Sequence, residues 1–161
     1  MWFFMYICYA MSILTFFALL TAFLQSFLGF SVLQAAPVTF MILTSILYCF
    51  TETLVIFFFV GTGVSIKEYV LLHKLDFHYH KRSVEIKRKL YPPLLWNILF
   101  MIILFVLVGA VDTARFPEWS YRMIFLGCII HFLKIKMIEN ECFRENTNLI
   151  LEMAGIKRCT I

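Results

Sequence analysis

The sequence predicts an all-α integral membrane protein. Four transmembrane helices form two antiparallel hairpins, with helices 2 and 4 extended into the cytoplasm. Three observations carry this expectation. The residues are 62% hydrophobic and only 15% charged, against about 25% charged in a soluble domain. The apolar residues come in blocks longer than the roughly 18 residues that mark a membrane span. The first charged side chain is Glu52, and the next is Lys67.

The chain reads as one domain over residues 1–161. The first span is expected over 9–31, behind the aromatic start "MWFFMYICY", whose amphipathic rings suit an interface. A secretory signal peptide needs a basic region ahead of its apolar core, and residues 1–51 hold no Lys or Arg, so this block is expected to stay as a span. Ala35-Ala36-Pro37 marks a short turn, because proline fits the first helical position and disfavours helix just before it. The second span follows over 38–65.

Residues 66–93, "IKEYVLLHKLDFHYHKRSVEIKRKLYPP", form the one long polar interval. Apolar residues at helical spacing predict a cytoplasmic hairpin of two short helices, turning near His73 to Asp76, with Asp76 as a cap. Pro92-Pro93 is expected to end the second of these and start the third span, 94–111. Pro117 and Glu118 suit a helix start and open the fourth span, 118–138. No breaker follows before Gly155, so a cytoplasmic C-terminal helix is expected over 139–155, with Gly155 as its cap.

Lys and Arg set the orientation. Seven lie within 66–93 and five from residue 134 onward, against none in 32–37 and two, Arg115 and Arg122, in 112–122. The positive-inside rule then puts both termini on the cytoplasmic side, in a bacterial or organellar inner membrane. Lys81, Arg82, Lys87, Arg88 and Lys89 are expected to meet lipid headgroups. Because the basic patches flank spans, no nucleic-acid surface is expected.

The five cysteines are scattered and show no metal-ligand spacing, so neither a disulfide framework nor a metal site is expected. "VGTGVS" (60–65) lacks the Lys-Ser/Thr of a phosphate loop. Gly61 and Gly63 are read instead as a kink or a close helix approach, with Gly109 and Gly127 as packing sites in the other hairpin. His78 and His80 diverge on a helix and do not suit a metal. Trp96, Asn97, Trp119 and Tyr121 fall near span ends, where interfacial residues belong.

Glu52 is the main candidate. It lies fifteen residues from both Pro37 and Lys67, hence deep in the hydrocarbon, where an acid costs about 2.5–3.5 kcal/mol. Thr44, Tyr48 and Glu52 share one helix face, which must point at protein or water. Either a proton or ion site or a hydrogen-bonded acid linking two helices satisfies this pattern. No second acid or base in another span offers a relay partner, so the neighbour of Glu52 is expected on another polypeptide. His131, the only histidine within a span, is a candidate for a subunit interface or for contact with haem or quinone.

No nucleophile–base pair, nucleotide fingerprint or metal box appears, so no complete active site and no cofactor is expected. The leading expectation is a non-catalytic accessory subunit of a larger inner-membrane complex, with the bilayer and other integral membrane subunits as partners. The alternatives are a proton- or ion-translocating protein using Glu52 and a quinone- or haem-associated anchor.

Overall fold

The computed structural model describes residues 2–32, 36–113 and 117–155, without the side chains of Asp112 and Glu118. Ala35, Arg115 and Cys159 lie outside them. The described chain is all-helical, with four long helices: α1 (Trp2–Leu28), α2 (Pro37–Leu72), α3 (His78–Asp112) and α4 (Glu118–Met153). Three of them, α1, α2 and α3, are long and apolar enough to cross a membrane. A segment without water to bond its backbone must satisfy every N–H and C=O internally, and the helix does so.

The fourth predicted span differs. Arg122, Lys134 and Lys136 leave residues 123–133 as its longest uncharged run, and α4 is not among the span-like helices. The first helix also differs. It starts at Trp2 rather than near residue 9, because Cys8 belongs to the bundle core and Phe4 and Met5 pack against it rather than forming a free interfacial strip.

Sequential helices pack on one another, and α4 also meets α1, so the bundle closes into a ring. The 66–93 interval is not a separate pair of short helices. Its arms are the ends of α2 and α3, joined by a turn over 73–77. Asp76 Oδ1 accepts from the His78 backbone N–H at 2.9 Å, although the N-cap position of α3 itself falls on Phe77 rather than on Asp76.

Pro92-Pro93 does not end a helix, which corrects the expected break. A proline pair inside a helix removes two N–H donors and costs about 3 kcal/mol or more per residue in water. What offsets that cost here is packing on both sides of the pair. Ser83, Ile86, Leu90, Leu94, Asn97, Met101, Leu104 and Val108 are all buried. Their steps of three and four residues make one unbroken coiled-coil-type seam through the prolines. The same alternation runs down α4 through Phe125, Cys128, Phe132, Ile135, Glu139, Cys142, Asn146 and Leu149. Gly155, with φ +71, follows the α4 C-cap Ala154, the left-handed position that glycine occupies cheaply.

The interior is divided. One apolar cluster gathers Val55, Phe59, Leu90, Leu94 and Phe143 toward the α2–α3 turn. The other gathers Leu19, Tyr48, Met101, Leu104 and Phe125 toward the opposite end. Between them lies a layer of polar side chains.

Candidate functional site: a buried charge layer

Every helix contributes to this layer. Thr15 comes from α1, Thr51 and Glu52 from α2, Asn97 from α3, and Lys136 and Glu139 from α4. Thr15, Thr51, Glu52, Asn97 and Glu139 are all buried, Glu52 completely. Each sits on its helix between residues of the two apolar clusters, so the seams that build the core also aim these groups inward.

Lys136 is the centre. Its Nζ lies 2.9 Å from Glu52 Oε1 and donates to both Glu139 oxygens at 2.9 Å. The Phe132 ring stands 4.9 Å from the same ammonium, a cation–π contact that strengthens away from water. Asn97 Nδ2 donates to Glu52 Oε1 at 3.1 Å. Because a carboxylate only accepts, this fixes the amide: Asn97 Oδ1 faces His131, whose Nδ1 lies 2.9 Å away and donates. The Thr15 and Thr51 hydroxyls share a bond of 2.7 Å beside the charges.

Two carboxylates around one ammonium leave a net charge of −1 when all three are ionised. An uncompensated charge in a dry interior is strongly unfavourable. The Glu52 and Glu139 carboxyl groups both lie 2.9 Å from the same Lys136 Nζ, and Glu52 Oε2 has no hydrogen-bond partner among the described residues. One proton held between the two acids corrects both defects, since like charges so close do not both ionise. A metal ion is a poorer match, because no group of three or more His, Cys, Asp or Glu among the described residues could hold one.

The structure overturns the expectation that Glu52 lacks a partner in its own chain. Glu139, expected in the cytoplasmic helix 139–155, turns inward on the α4 seam, and Lys136, near the end of the expected fourth span, reaches in from beside that seam. Asn97, assigned to the interface, is instead a buried bridge. His131 meets Asn97 and stacks edge-on against Phe100 at 4.9 Å. Thr44 and Tyr48 are buried on the Glu52 face as expected. Thr44 bonds its own helix at Phe40 O, so it does not join the charge network.

The basic residues of the 66–93 interval separate into three groups. Arg82 pairs with Glu152 at 2.6 Å, and Lys89 with Glu141 at 2.9 Å and Glu145 at 3.4 Å. Lys81 and Arg88 are exposed. Lys87 instead lies over Gly63, where an added Cβ would overlap its side-chain end. Gly63 thus accommodates a lysine rather than another backbone. Gly61, Gly109 and Gly127 have open space where a Cβ would stand, which corrects their expected packing role.

Fold and site together define a class: an all-helical bundle with three membrane-span-like helices and a buried Glu–Lys–Glu layer. No family model matches the chain, and no curated protein or solved structure does either.

Proposed function

We propose that this chain is a four-span membrane protein that takes up and passes on a proton at Glu52, Lys136 and Glu139. The observation that carries this reading is the imbalance of two buried carboxylates against one buried ammonium, with Glu52 Oε2 unpartnered. A structural helix-to-helix pair needs one acid and one base; the second acid adds a site whose occupancy by a proton decides the net charge. Asn97 positions Glu52 and does not relay the proton itself, because an amide has no readily ionised form.

The fourth crossing is supported by how α4 packs. At one end Arg122 donates to Ser26 O of α1 at 3.0 Å, and further along Tyr9 donates to Asn140 at 2.7 Å. The crossing part of α4 thus shares its depth with uncharged α1. Two antiparallel hairpins and two inward termini follow from four crossings and the basic 66–93 interval.

The test is proton flux into liposomes carrying the purified protein and a trapped pH dye. Glu52→Gln and Glu139→Gln should each reduce flux at least about tenfold, while the helical content measured by circular dichroism is retained. Wild-type flux no greater than that of empty liposomes, or full flux in both variants, rejects the proposal.

A second reading, a subunit of a larger membrane complex, is favoured by the exposed tip of the 73–77 turn. Leu71, Leu72 and Phe77 are exposed there among charged neighbours, which suits docking against another polypeptide. Native mass spectrometry after gentle extraction checks it: a bare monomer from every preparation rejects this reading.

A further inference from the structure

The charge layer is not sealed on all sides. α1 and α4 meet less extensively than the other neighbouring helices, and a cleft of ≈ 360 Å³ opens between them. That size falls at the small end of ligand pockets, about 300–1,000 Å³. Ile13, Phe16 and Phe17 form one wall and Leu133 the other, with Lys136 and Glu139 also lining the cleft. The side chains of Lys136 and Glu139 are 16% and 3% exposed, whereas Ile13 and Phe17 are both 58% exposed. The charges are therefore the floor and the aromatic and aliphatic groups the mouth.

The mouth lies at the middle of α1, a helix with no charged residue from Trp2 to Leu28. On the membrane reading above, on which this inference rests, the cleft faces hydrocarbon rather than water. An apolar-walled cleft with an ammonium and a carboxyl at its floor is complementary to an amphiphile with one chain and one small acidic head. We propose that the α1–α4 cleft binds a long-chain carboxylic acid from the bilayer, with its tail along Phe16 and Leu133 and its carboxyl at Lys136 and Glu139.

The proton balance favours an acid over an alcohol. The three N–H donors of Lys136 are directed at Glu52 Oε1 and the two Glu139 oxygens. An acid entering in its neutral form breaks its own O–H bond as Glu139 gains one, becoming a carboxylate while Glu139 becomes neutral. No electron moves, and the total charge is unchanged. Lys136 then turns a donor from the neutral Glu139 to the new carboxylate, with Ser12 and Asn140 also at the cleft wall. An alcohol can give no such proton. A phospholipid brings a second chain and a phosphodiester that is already ionised.

The experiment uses the full chain in nanodiscs of zwitterionic lipid, with palmitic acid, hexadecan-1-ol and dipalmitoyl phosphatidylglycerol as probes. Native mass spectrometry and calorimetric titration should find one saturable palmitic acid per chain and no comparable binding of the other two. Ile13→Trp fills the mouth without touching a charge, and should weaken palmitic acid binding at least about tenfold, roughly 1.4 kcal/mol, with the thermal midpoint little changed. Equal binding of hexadecan-1-ol or of phosphatidylglycerol overturns the proposal, as does unchanged affinity in Ile13→Trp. The proton reading is judged separately, on ligand-free protein. Flux that depends on Glu52 and Glu139 without palmitic acid binding removes only this inference. Binding without such flux removes only the proton reading.

Discussion

Lys136 of α4 holds the Glu52 carboxylate of α2 at 2.9 Å, in the polar layer that separates the two apolar halves of the bundle. The residues lie 84 positions apart in the chain, on helices that also meet through the Tyr48–Phe132 and Phe59–Phe143 ring contacts to either side of the layer. The pair therefore ties opposite corners of the ring together.

Removing the base should hurt more than removing one acid. Lys136→Met leaves Glu52 and Glu139 facing each other with no counter-charge, and breaking a buried pair this way costs about 3–5 kcal/mol. Glu52→Gln leaves a neutral Lys136–Glu139 pair and should cost less. Thermal unfolding in one detergent should rank the midpoints as wild type, Glu52→Gln, then Lys136→Met. The reverse order would mean that Lys136 does not neutralise the layer.

Asn97 is the second joint. Asn97→Leu keeps the volume but strips a donor from Glu52 and an acceptor from His131, with an expected cost of about 1–3 kcal/mol. Asn97→Asp should be worse, because it puts a third carboxylate into the same buried layer. A thermal midpoint for Asn97→Asp equal to that of wild type would contradict the geometry.

Lys89 predicts a weak pH dependence in the part of α3 that lies toward the 73–77 turn. Its hydrogen bond to Glu141, aided by Glu145, raises its pKa above the ordinary lysine value. A raised value means that the stabilisation is complete below the ordinary lysine range, near pH 10.4, and fades as pH climbs through the raised value. The thermal difference between wild type and Lys89→Met should thus be small at neutral pH, as for exposed pairs generally. It should vanish under strongly alkaline conditions. A difference that grows with alkalinity contradicts this sign.

The cysteines give a direct check on burial. Cys8, Cys128 and Cys142 are buried and Cys49 only partly so. In detergent micelles, brief treatment with the membrane-permeant N-ethylmaleimide followed by peptide mass mapping should modify Cys49 ahead of those three, with Cys142 reacting only on unfolding. Fast labelling of Cys142 would show that the α4 seam is open there.

Much of the fold was legible in the sequence because hydropathy blocks and turn residues are local signals. The turn near His73–Asp76, the Asp76 bond and the glycine after α4 all depend on neighbours in sequence. The continuity of α3 was missed because proline is a local signal too, whereas what overrides it is the long seam from Ser83 to Val108. The same kind of seam carried the missing half of the site. Glu139 stands on the Phe125–Leu149 alternation at a position occupied otherwise by Phe, Cys, Ile, Asn and Leu. That spacing, followed past Lys134, would have turned Glu139 inward. Which helix faces which is a tertiary fact, and no spacing within α2 could have pointed from Glu52 to Lys136.

On the proposed four-span reading, the charge layer also bears on how such a chain is made. Helices emerge for insertion in chain order, and α4 alone is a poor substrate, with Lys134, Lys136 and Glu139 each unfavourable in lipid by roughly 2.5–3.5 kcal/mol near mid-depth. Glu52 has been delivered by then, on a helix hydrophobic enough to enter unaided. Lateral release of the last helix thus depends on a carboxylate laid down two helices earlier, and truncation before α4 would strand that carboxylate in the bilayer. A nascent chain of this design would carry its own checkpoint: a copy whose final helix failed to arrive would keep an unpaired Glu52 among its spans.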